Sequence, residues 1–338
     1  MKRLKIGTYL PNFAYGQDRI DHRARLRSWI TRAEELGFDS IWVTDHLLRA
    51  RDMYAITWLE PMATLCFAAS ITERVTLGSG VLLLPLRNPA VLAKEVASIQ
   101  ALSGNRFIFG VGTGHYAPEL AATGARISER GKRTDEVLEL VKRLVAGEAV
   151  TYEGAQFRFD DVTIEPSPRP LPVWVGGGSQ IAHRDSVEKP VLHPNVARRI
   201  ARSDGWFSRP SASPEQIAED WRQLQPFIHH EGRDPSQIEI AHGQWLHLTE
   251  ETDGGRARAI QHTAAREIVG GARSPELLEE SYLFGTLDEV VEGCRRRADI
   301  GVEHLIIHPY TDDPEQLELW GTFLLPRLRE LEVGSLSL

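Results

Sequence analysis

Residues 75–114 read VTLGSGVLLLPLRNPAVLAKEVASIQALSGNRFIFGVGTG, and this stretch decides the fold. Residues 75–83 are almost continuously apolar, residues 89–102 begin with proline and have helical length, and residues 106–111 are apolar again. Short apolar runs are typical of parallel strands that helices cover on both faces. The stretch therefore predicts a strand–helix–strand unit with parallel strands.

The same alternation extends in both directions along the chain. Strands are predicted at 4–9, 40–44, 75–83, 106–111, 172–175, 205–208, 238–248 and 304–308. Helices are predicted at 23–36, 61–70, 89–102, 131–146, 195–202, 214–230, 287–300 and 314–331, with an inserted hairpin within 152–164. Eight such units favour a closed (β/α)8 TIM barrel with insertions over an open sheet. No linker divides the chain, so one domain covering residues 1–338 is expected.

Composition narrows the classes of function. The net charge is -8 with both signs interspersed, which argues against a nucleic-acid partner. Cys66 and Cys294 lie far apart, so the pattern fits a reducing cytoplasm rather than a disulfide framework. No apolar signal core follows the first residues and no run is long enough for a membrane span. We therefore expect a cytoplasmic protein with a small-molecule substrate and no membrane partner.

The first candidate site follows the second predicted strand, where Asp45 and His46 stand together. The C-terminal ends of barrel strands carry function in this architecture. An imidazole there can donate a hydrogen bond, move a proton or stabilise an anion near neutral pH. Asp45 and His46 are therefore candidate catalytic residues, and the alternative is a structural histidine at a strand end.

The third predicted strand contains glycines in the sequence LGSGVL at 77–82. Glycine inside a buried strand indicates a bulge or a close approach of a ligand to the backbone. Ser79, Gly80 and Val81 are therefore candidate cofactor contacts. The alternative is that these glycines only permit close packing against a helix. The Gly-x-Ser-x-Gly spacing of a nucleophile elbow is absent.

Two glycine-rich loops follow the fourth and fifth predicted strands. Their candidate cofactor-binding residues are Thr113, Gly114, His115, Gly176, Gly177, Gly178 and Ser179. Glycine loops after strands expose backbone N–H groups that can bind phosphate. Because the two strands are neighbours in the predicted barrel, a phosphorylated cofactor is expected between the loops. The alternatives are a merely flexible loop, or a phosphate near the seventh and eighth strands, where the loops are acidic.

Other chemistries find little support in the sequence. There is no His-Glu-x-x-His motif, and His229 and His230 lie at a helix end, so no metal site is expected. Of His304 and His308, only His308 is expected to reach the barrel mouth. A barrel lyase would need a lysine at a strand's C-terminal end, and the predicted strand ends offer none.

Taken in order, these segments resemble the bacterial luciferase-like flavin oxidoreductases. The resembling segments are AEELGFDSIWVTDH (33–46), LGSGVLLLPLRNP (77–89), LSGNRFIFGVGTG (102–114), ERGKR (129–133), PVWVGGGS (172–179), DGW (204–206) and GTLDEV (285–290). They cover most of the chain. The resemblance implies FMN or the 5-deazaflavin coenzyme F420, with its ring in the barrel mouth beside Asp45 and His46. It also implies a non-proline cis peptide at Gly80–Val81.

Two features depart from the family pattern. His115, which we add to the candidate catalytic residues, stands where sugar-phosphate-oxidising deazaflavin enzymes of the family place a catalytic glutamate. That substitution puts sugar-phosphate chemistry in doubt. Residues 181–193 also look like an insertion before the next helix, whose start usually contributes to the family's phosphate site. Phosphate contacts beyond Ser179 are therefore not carried over.

The sequence favours an FMN-dependent monooxygenase that oxidises a small organic substrate with O2. The first alternative is an F420-dependent dehydrogenase or reductase that transfers hydride without O2, and the second is a non-catalytic flavin-binding barrel. In either enzyme the cofactor supplies the reactive atom, and the protein supplies position and electrostatics. The resemblance further implies a homo-oligomer, with a flavin reductase as a partner for the FMN enzyme.

Overall fold

The computed structural model describes residues 2–14, 21–49, 54–167, 170–179, 191–269 and 273–334. Its strands are β1 Lys5–Tyr9, β2 Phe13–Ala14, β3 Ser40–Val43, β4 Thr57–Trp58, β5 Thr76–Ser79, β6 Leu82–Leu83, β7 Phe107–Gly112, β8 Val150–Glu153, β9 Arg158–Val162, β10 Val173–Gly176, β11 Gly205–Ser208, β12 Glu239–Leu246 and β13 His304–Pro309. Its helices are α1 His22–Leu36, α2 Pro61–Ala69, α3 Pro89–Leu102, α4 Ala117–Ala122, α5 Arg130–Val145, α6 Pro194–Ala201, α7 Pro214–His230, α8 Gly254–Val269, α9 Pro275–Ser281, α10 Leu287–Asp299, α11 Pro314–Leu319 and α12 Leu325–Leu328.

The main sheet closes into a parallel barrel. Its order is β10-β11-β12-β13-β1-β3-β5-β7-β6, and a further parallel pairing of β7 with β10 closes the ring. Strands β5 and β6 are two halves of one barrel strand, interrupted at Gly80–Val81, and both pair with β7. The barrel therefore has eight strands when β5 and β6 are counted as one, which confirms the predicted (β/α)8 fold. The strands that precede the two glycine loops, β7 and β10, are neighbours, as predicted.

Aromatic side chains fill the interior of the barrel. The Trp42 and Trp174 rings stack with centroids 5.2 Å apart, and Phe207 packs edge-on to Trp42 at 5.5 Å. A Cβ atom on Gly78 would lie 2.3 Å from the Trp42 ring, so glycine is needed there. The packing alternative for the strand-three glycines thus holds at Gly78, although the neighbour is a barrel tryptophan rather than a helix.

Outside the barrel the structure contains the predicted hairpin, as β8 and β9. It also contains elements that the periodicity did not indicate. Helices α4, α8 and α9 were not predicted, because α4 has only six residues and α8 opens on two glycines, which are poor helix formers. The last predicted helix is interrupted by a π-helical turn at Trp320–Leu324. Within the described ranges, no helix is long and apolar enough to cross a membrane.

Candidate active site

The predicted site residues meet at the C-terminal ends of neighbouring strands. Asp45 and His46 follow β3, and Gly80 and Val81 lie between β5 and β6. The loop 113–115 follows β7, and the loop 177–179 follows β10. Since β3, β5, β7 and β10 are consecutive around the barrel, all four segments border one side of its mouth.

The side chain of His46 is fixed by a carboxylate that comes from another element. His46 Nδ1 lies 3.2 Å from both carboxylate oxygens of Glu119 on α4. The side chains of His46 and Glu119 are only 9% and 1% exposed. Glu119 also accepts the Leu48 backbone N–H at 3.0 Å, so it holds the whole turn after β3. This arrangement makes Nδ1 the protonated nitrogen and leaves Nε2 as the acceptor.

Hydrogen bonds stabilise the negative charge of the Glu119 carboxylate. Burial by itself raises the pKa of a carboxyl group, but here the hydrogen bonds from His46 and from the Leu48 N–H outweigh burial, and the pKa of Glu119 is lowered. The carboxylate is therefore ionised at neutral pH. A carboxylate behind an imidazole fixes the tautomer and the orientation of the ring.

Two aromatic rings lie beside the His46 imidazole. The Tyr54 and Trp58 ring centroids lie 5.4 and 5.0 Å from that of His46, and the two rings meet each other edge-on at 4.8 Å. Trp58 is buried and belongs to an apolar cluster with Trp245 and Tyr310. These rings shield one side of His46 from water, and reduced hydration strengthens polar interactions on that side.

Asp45 forms its hydrogen bonds with Leu83 and Arg87 rather than with His46. Its Oδ2 accepts the Leu83 N–H at 2.8 Å and an Arg87 N–H at 3.0 Å. Burial raises the pKa of Asp45, and the Arg87 guanidinium offsets part of that effect. The structure thus ties the turn after β3 to the strand β6. We therefore regard Asp45 as a positioning residue.

The interrupted barrel strand has the predicted backbone form. The Gly80–Val81 peptide bond is cis, which confirms the expectation from the family resemblance. The Tyr9 hydroxyl donates to the Gly80 carbonyl at 2.8 Å. Cβ atoms placed on Gly112 and Gly176 would lie 2.5 and 2.9 Å from Val81 methyl groups. Gly112 and Gly176, the last residues of β7 and β10, therefore make room for the Val81 side chain.

Ser79 and the loop after β7 differ in what they offer to a ligand. The Ser79 hydroxyl is engaged, since it donates to the Gly110 carbonyl at 2.8 Å and accepts the Gly110 N–H at 3.0 Å. Gly114 has a φ of 65°, a left-handed conformation that favours glycine. Loss of hydration, and after it the neighbouring His46, lowers the pKa of His115. His115 is thus neutral at physiological pH and lies close to the His46–Glu119 pair.

The triple-glycine loop is partly occupied by the protein itself. The Gly177 N–H donates to the Phe207 carbonyl at 3.1 Å, and the Ser179 N–H donates to Asp220 Oδ2 at 2.9 Å. Asp220 comes from α7, is buried, and its pKa is raised by that burial. The backbone N–H groups of Gly177 and Ser179 are therefore already used within the protein.

His308 lies at the mouth, as expected, but inside a stack of rings. The Trp245 and Tyr9 centroids lie 3.4 and 4.4 Å from that of His308. Burial lowers the pKa of His308 to about 3. Its Nε2 is within hydrogen-bond distance of the Thr44 hydroxyl at 3.1 Å. His308 is therefore a neutral part of the barrel wall at the mouth and does not exchange protons at neutral pH.

Sequence reasoning missed Glu119, Arg87 and Asp220. Each acts on a partner that lies 73, 42 or 41 residues away along the chain. The one local signal is that Glu119 stands on an otherwise apolar helix, where a buried carboxylate needs a partner. Among the described residues, no group of three or more histidine, cysteine or acidic side chains could hold a metal ion.

Comparison with known proteins shows which proteins this chain is similar to. A family model described as luciferase-like monooxygenase matches residues 4–304. An F420-dependent glucose-6-phosphate dehydrogenase of Intrasporangium calvum is 31% identical over 368 aligned residues, covering 97% of this chain and 100% of that protein. A solved F420-dependent secondary alcohol dehydrogenase, in complex with an F420-acetone adduct, matches with a TM-score of 0.79 and 18% identity, covering 97% of this chain and 100% of that one.

A solved monooxygenase from Streptomyces bottropensis matches nearly as well. Its TM-score is 0.77 at 24% identity, and the match covers 96% of this chain and 99% of that one. The two solved structures share the barrel fold with this chain. Because one is a dehydrogenase and the other a monooxygenase, the fold does not by itself decide between the two chemistries.

Proposed function

This chain belongs to the luciferase-like monooxygenase family, and we propose that it is a coenzyme F420-dependent dehydrogenase that oxidises a small alcohol, or reduces the matching carbonyl compound. Membership confirms the family and the oxidoreductase class predicted from the sequence. The 31% identical relative supports the F420 alternative better than the FMN monooxygenase favoured from the sequence. A flavin reductase would be needed only for the FMN chemistry.

The observation that carries the proposal is the His46–Glu119 pair. Oxidation of an alcohol removes a hydride from carbon and a proton from oxygen, leaving a carbonyl group. Coenzyme F420, when bound, supplies the two-electron acceptor for the hydride. His46 takes the proton at Nε2, because Glu119 holds Nδ1 in its protonated form at 3.2 Å. In the reverse direction His46 returns the proton to the carbonyl oxygen.

The residues at the mouth fit such a cofactor. Gly112 and Gly176 make room for the Val81 side chain between the two loops, because a Cβ atom on either glycine would lie 2.5 or 2.9 Å from a Val81 methyl group. We assign Gly80, Val81, Thr113, Gly114, Gly176, Gly177 and Gly178 to holding the cofactor. We do not assign Ser79 and Ser179 to cofactor contact. The Ser79 hydroxyl already donates to the Gly110 carbonyl, and the Ser179 N–H already donates to Asp220.

We do not propose glucose 6-phosphate, which the name of the 31% identical relative gives, as the substrate of this chain. In this chain His115 occupies the place of the glutamate that the family resemblance associates with sugar-phosphate oxidation. The walls beside His46 are the aromatic rings of Tyr54 and Trp58. Since aromatic walls favour apolar ligands, we propose an alcohol or ketone with an apolar body as the substrate class.

Cofactor binding tests the placement at the glycine loops. A Cβ atom on Gly177 would lie 2.6 Å from Val196, so Gly177→Asp adds both bulk and negative charge beside the proposed phosphate. In fluorescence titrations the parent should bind F420 more tightly than FMN. The variant should bind F420 at least about tenfold more weakly, a loss of roughly 1.4 kcal/mol.

The control for this titration is Gly255→Asp, the same change at an exposed glycine in the first turn of α8. It should leave F420 affinity unchanged. Parent-like affinity in folded Gly177→Asp would show that the phosphate binds elsewhere. Tighter binding of FMN than of F420 by the parent would instead favour the monooxygenase alternative.

A further inference from the structure

One arginine brings a positive charge to the aromatic side of the barrel mouth. Arg273 lies between α8 and α9, is partly exposed, and donates a hydrogen bond to the Tyr282 hydroxyl. Its guanidinium carbon lies 5.7 Å from the centroid of the Tyr282 ring. Tyr282 belongs to the same apolar cluster as Trp58, whose ring centroid lies 5.0 Å from that of His46. A single packed cluster therefore connects Arg273 to the histidine that we propose as the proton acceptor.

The groups that respond to the charge of Arg273 place it on the mouth side of the barrel. Tyr310 directly follows β13, His115 lies in the loop after β7, and Tyr54 lies in the segment after β3. Burial raises the pKa of Tyr54 and of Tyr310, and the Arg273 charge opposes both increases. Burial is also the main reason why the pKa of His115 is lowered, and the Arg273 charge adds to that effect. Arg273 therefore lies near the C-terminal ends of three different barrel strands.

The partners of Arg273 within the protein are hydroxyl groups. Among the described residues, no carboxylate forms an ion pair with Arg273. Glu119 lies on this side of the mouth, but its two oxygens already bind His46 and the Leu48 N–H. Burial by itself lowers the pKa of Arg273, yet three neighbouring tyrosine hydroxyls outweigh burial and the pKa is raised. The guanidinium is thus charged at neutral pH and has N–H donors left for a ligand.

A second polar group of the same cluster lacks a hydrogen-bond partner. Tyr310 is fully buried, and its hydroxyl has no partner among the described residues. The Tyr310 and Trp245 ring centroids lie 5.2 Å apart, and Trp245 in turn stacks on His308 at the mouth. A buried hydroxyl without a partner is costly. This side of the mouth therefore combines aromatic walls with a cation and a hydroxyl that have no acceptor, which suits a ligand with an apolar body and an anionic end.

We propose that Arg273 binds a carboxylate group of the substrate, so that the substrate is a hydroxy acid with an apolar body whose alcohol group reaches His46. The inference rests on the proposed function and narrows its substrate class. The planar guanidinium can hold a carboxylate through two parallel hydrogen bonds. It matches the single charge of a carboxylate, whereas a phosphate monoester carries nearly two negative charges at neutral pH. The carboxylate is not consumed: the carbinol carbon still loses a hydride to bound F420, and the hydroxyl loses its proton to His46.

The first test compares hydroxy acids with their methyl esters, which keep the carbon skeleton but lack the charge. The acids 3-hydroxybutanoate, 5-hydroxyhexanoate and 7-hydroxyoctanoate vary the distance between the alcohol and the carboxylate. In the parent, at least one acid should have a KM about tenfold or more below that of its ester, because hydrogen bonds to charged groups contribute on this scale. Arg273→Gln should raise the KM for that acid to the ester value and leave kcat and the ester kinetics unchanged.

Two further variants separate this role from a general effect of charge. Arg273→Lys should keep part of the preference for the acid, since the positive charge remains while the planar fork is lost. Arg266→Gln is the matched control, because Arg266 is exposed on the neighbouring helix α8. It should keep the full preference for the acid.

A second test measures binding without turnover. Calorimetric titration of the F420-loaded protein compares octanoate with octanamide, neither of which contains an alcohol. The parent should bind octanoate about tenfold or more tightly than octanamide, and Arg273→Gln should bind both equally. Equal affinities in the parent, or the same octanoate preference in Arg273→Gln, would overturn this inference even if neutral alcohols are oxidised. An octanoate preference that depends on Arg273, in a protein that reduces F420 with no alcohol, would support the carboxylate site and contradict the proposed function instead.

Discussion

Replacement of His46 by alanine is expected to lower kcat for F420-dependent alcohol oxidation by about 10²- to 10⁴-fold. The variant loses the acceptor for the hydroxyl proton, while the glycine loops that hold the cofactor are unchanged. F420 affinity should therefore stay within about threefold of the parent, a difference of under 1 kcal/mol. Stopped-flow reduction of F420 measures the catalytic loss, and fluorescence titration measures the affinity.

The control is His230→Ala, which removes an exposed histidine at the end of α7. Its kcat should equal that of the parent. Unchanged turnover in a folded His46→Ala protein would show that His46 is a structural residue of the turn after β3. A large loss of F420 affinity without a loss of kcat would assign His46 to cofactor binding instead.

Glu119→Gln is expected to lower kcat by about 10²-fold or more, although the glutamine side chain would occupy nearly the same volume as the glutamate. The amide can donate to His46 Nδ1, which would favour the tautomer that carries its proton on Nε2. That tautomer cannot accept a proton from the substrate. A comparable carboxylate-to-amide change behind a catalytic histidine costs about 10⁴-fold in serine proteases.

Nitrogen chemical shifts of the imidazole distinguish this effect from simple destabilisation. In the parent the His46 signal should report a proton on Nδ1, and in Glu119→Gln a proton on Nε2, with or without turnover. Glu129→Gln, at a carboxylate whose partner is the exposed Arg126, is the control and should change neither quantity. The same tautomer in parent and Glu119→Gln would contradict the proposed role of Glu119.

The pH dependence follows from the direction of the Glu119 shift. Its pKa is lowered in the folded protein, so its stabilising contribution is present above the ordinary glutamate pKa. That contribution is lost only as the pH falls through the lowered value. Titration of Glu119 should therefore not contribute to the activity profile near neutral pH.

The barrel could be predicted because its signal is local. Each barrel strand is a short apolar run followed by a helix. Strands such as β7 and β10 show this pattern without reference to the rest of the chain. The positions of the glycine loops follow from the same alternation, since parallel strands place all their C-terminal ends on one face. Residues 181–190 of the predicted insertion lie outside the described residues.

The partners of the site residues could not be predicted in the same way. Asp45 and His46 are adjacent in sequence, yet Asp45 turns to Leu83 and Arg87 while His46 turns to Glu119. The direction of His46 depends on α4, a helix too short to show periodicity, and the direction of Asp45 depends on Leu83 and Arg87. The occupation of the Ser179 N–H by Asp220 likewise depends on how α7 packs behind the loop.

The most direct measurement is reduction of F420 in the absence of oxygen. Purified protein is mixed anaerobically with oxidised F420 and secondary alcohols of increasing apolar size, and the visible absorbance of the deazaflavin is followed together with the carbonyl product. We predict that absorbance is lost in step with carbonyl formation, one for one, and that His46→Ala slows both. If F420 stays oxidised with every alcohol, while reduced FMN and O2 yield an oxygenated product, the protein is a monooxygenase and the proposed function is wrong.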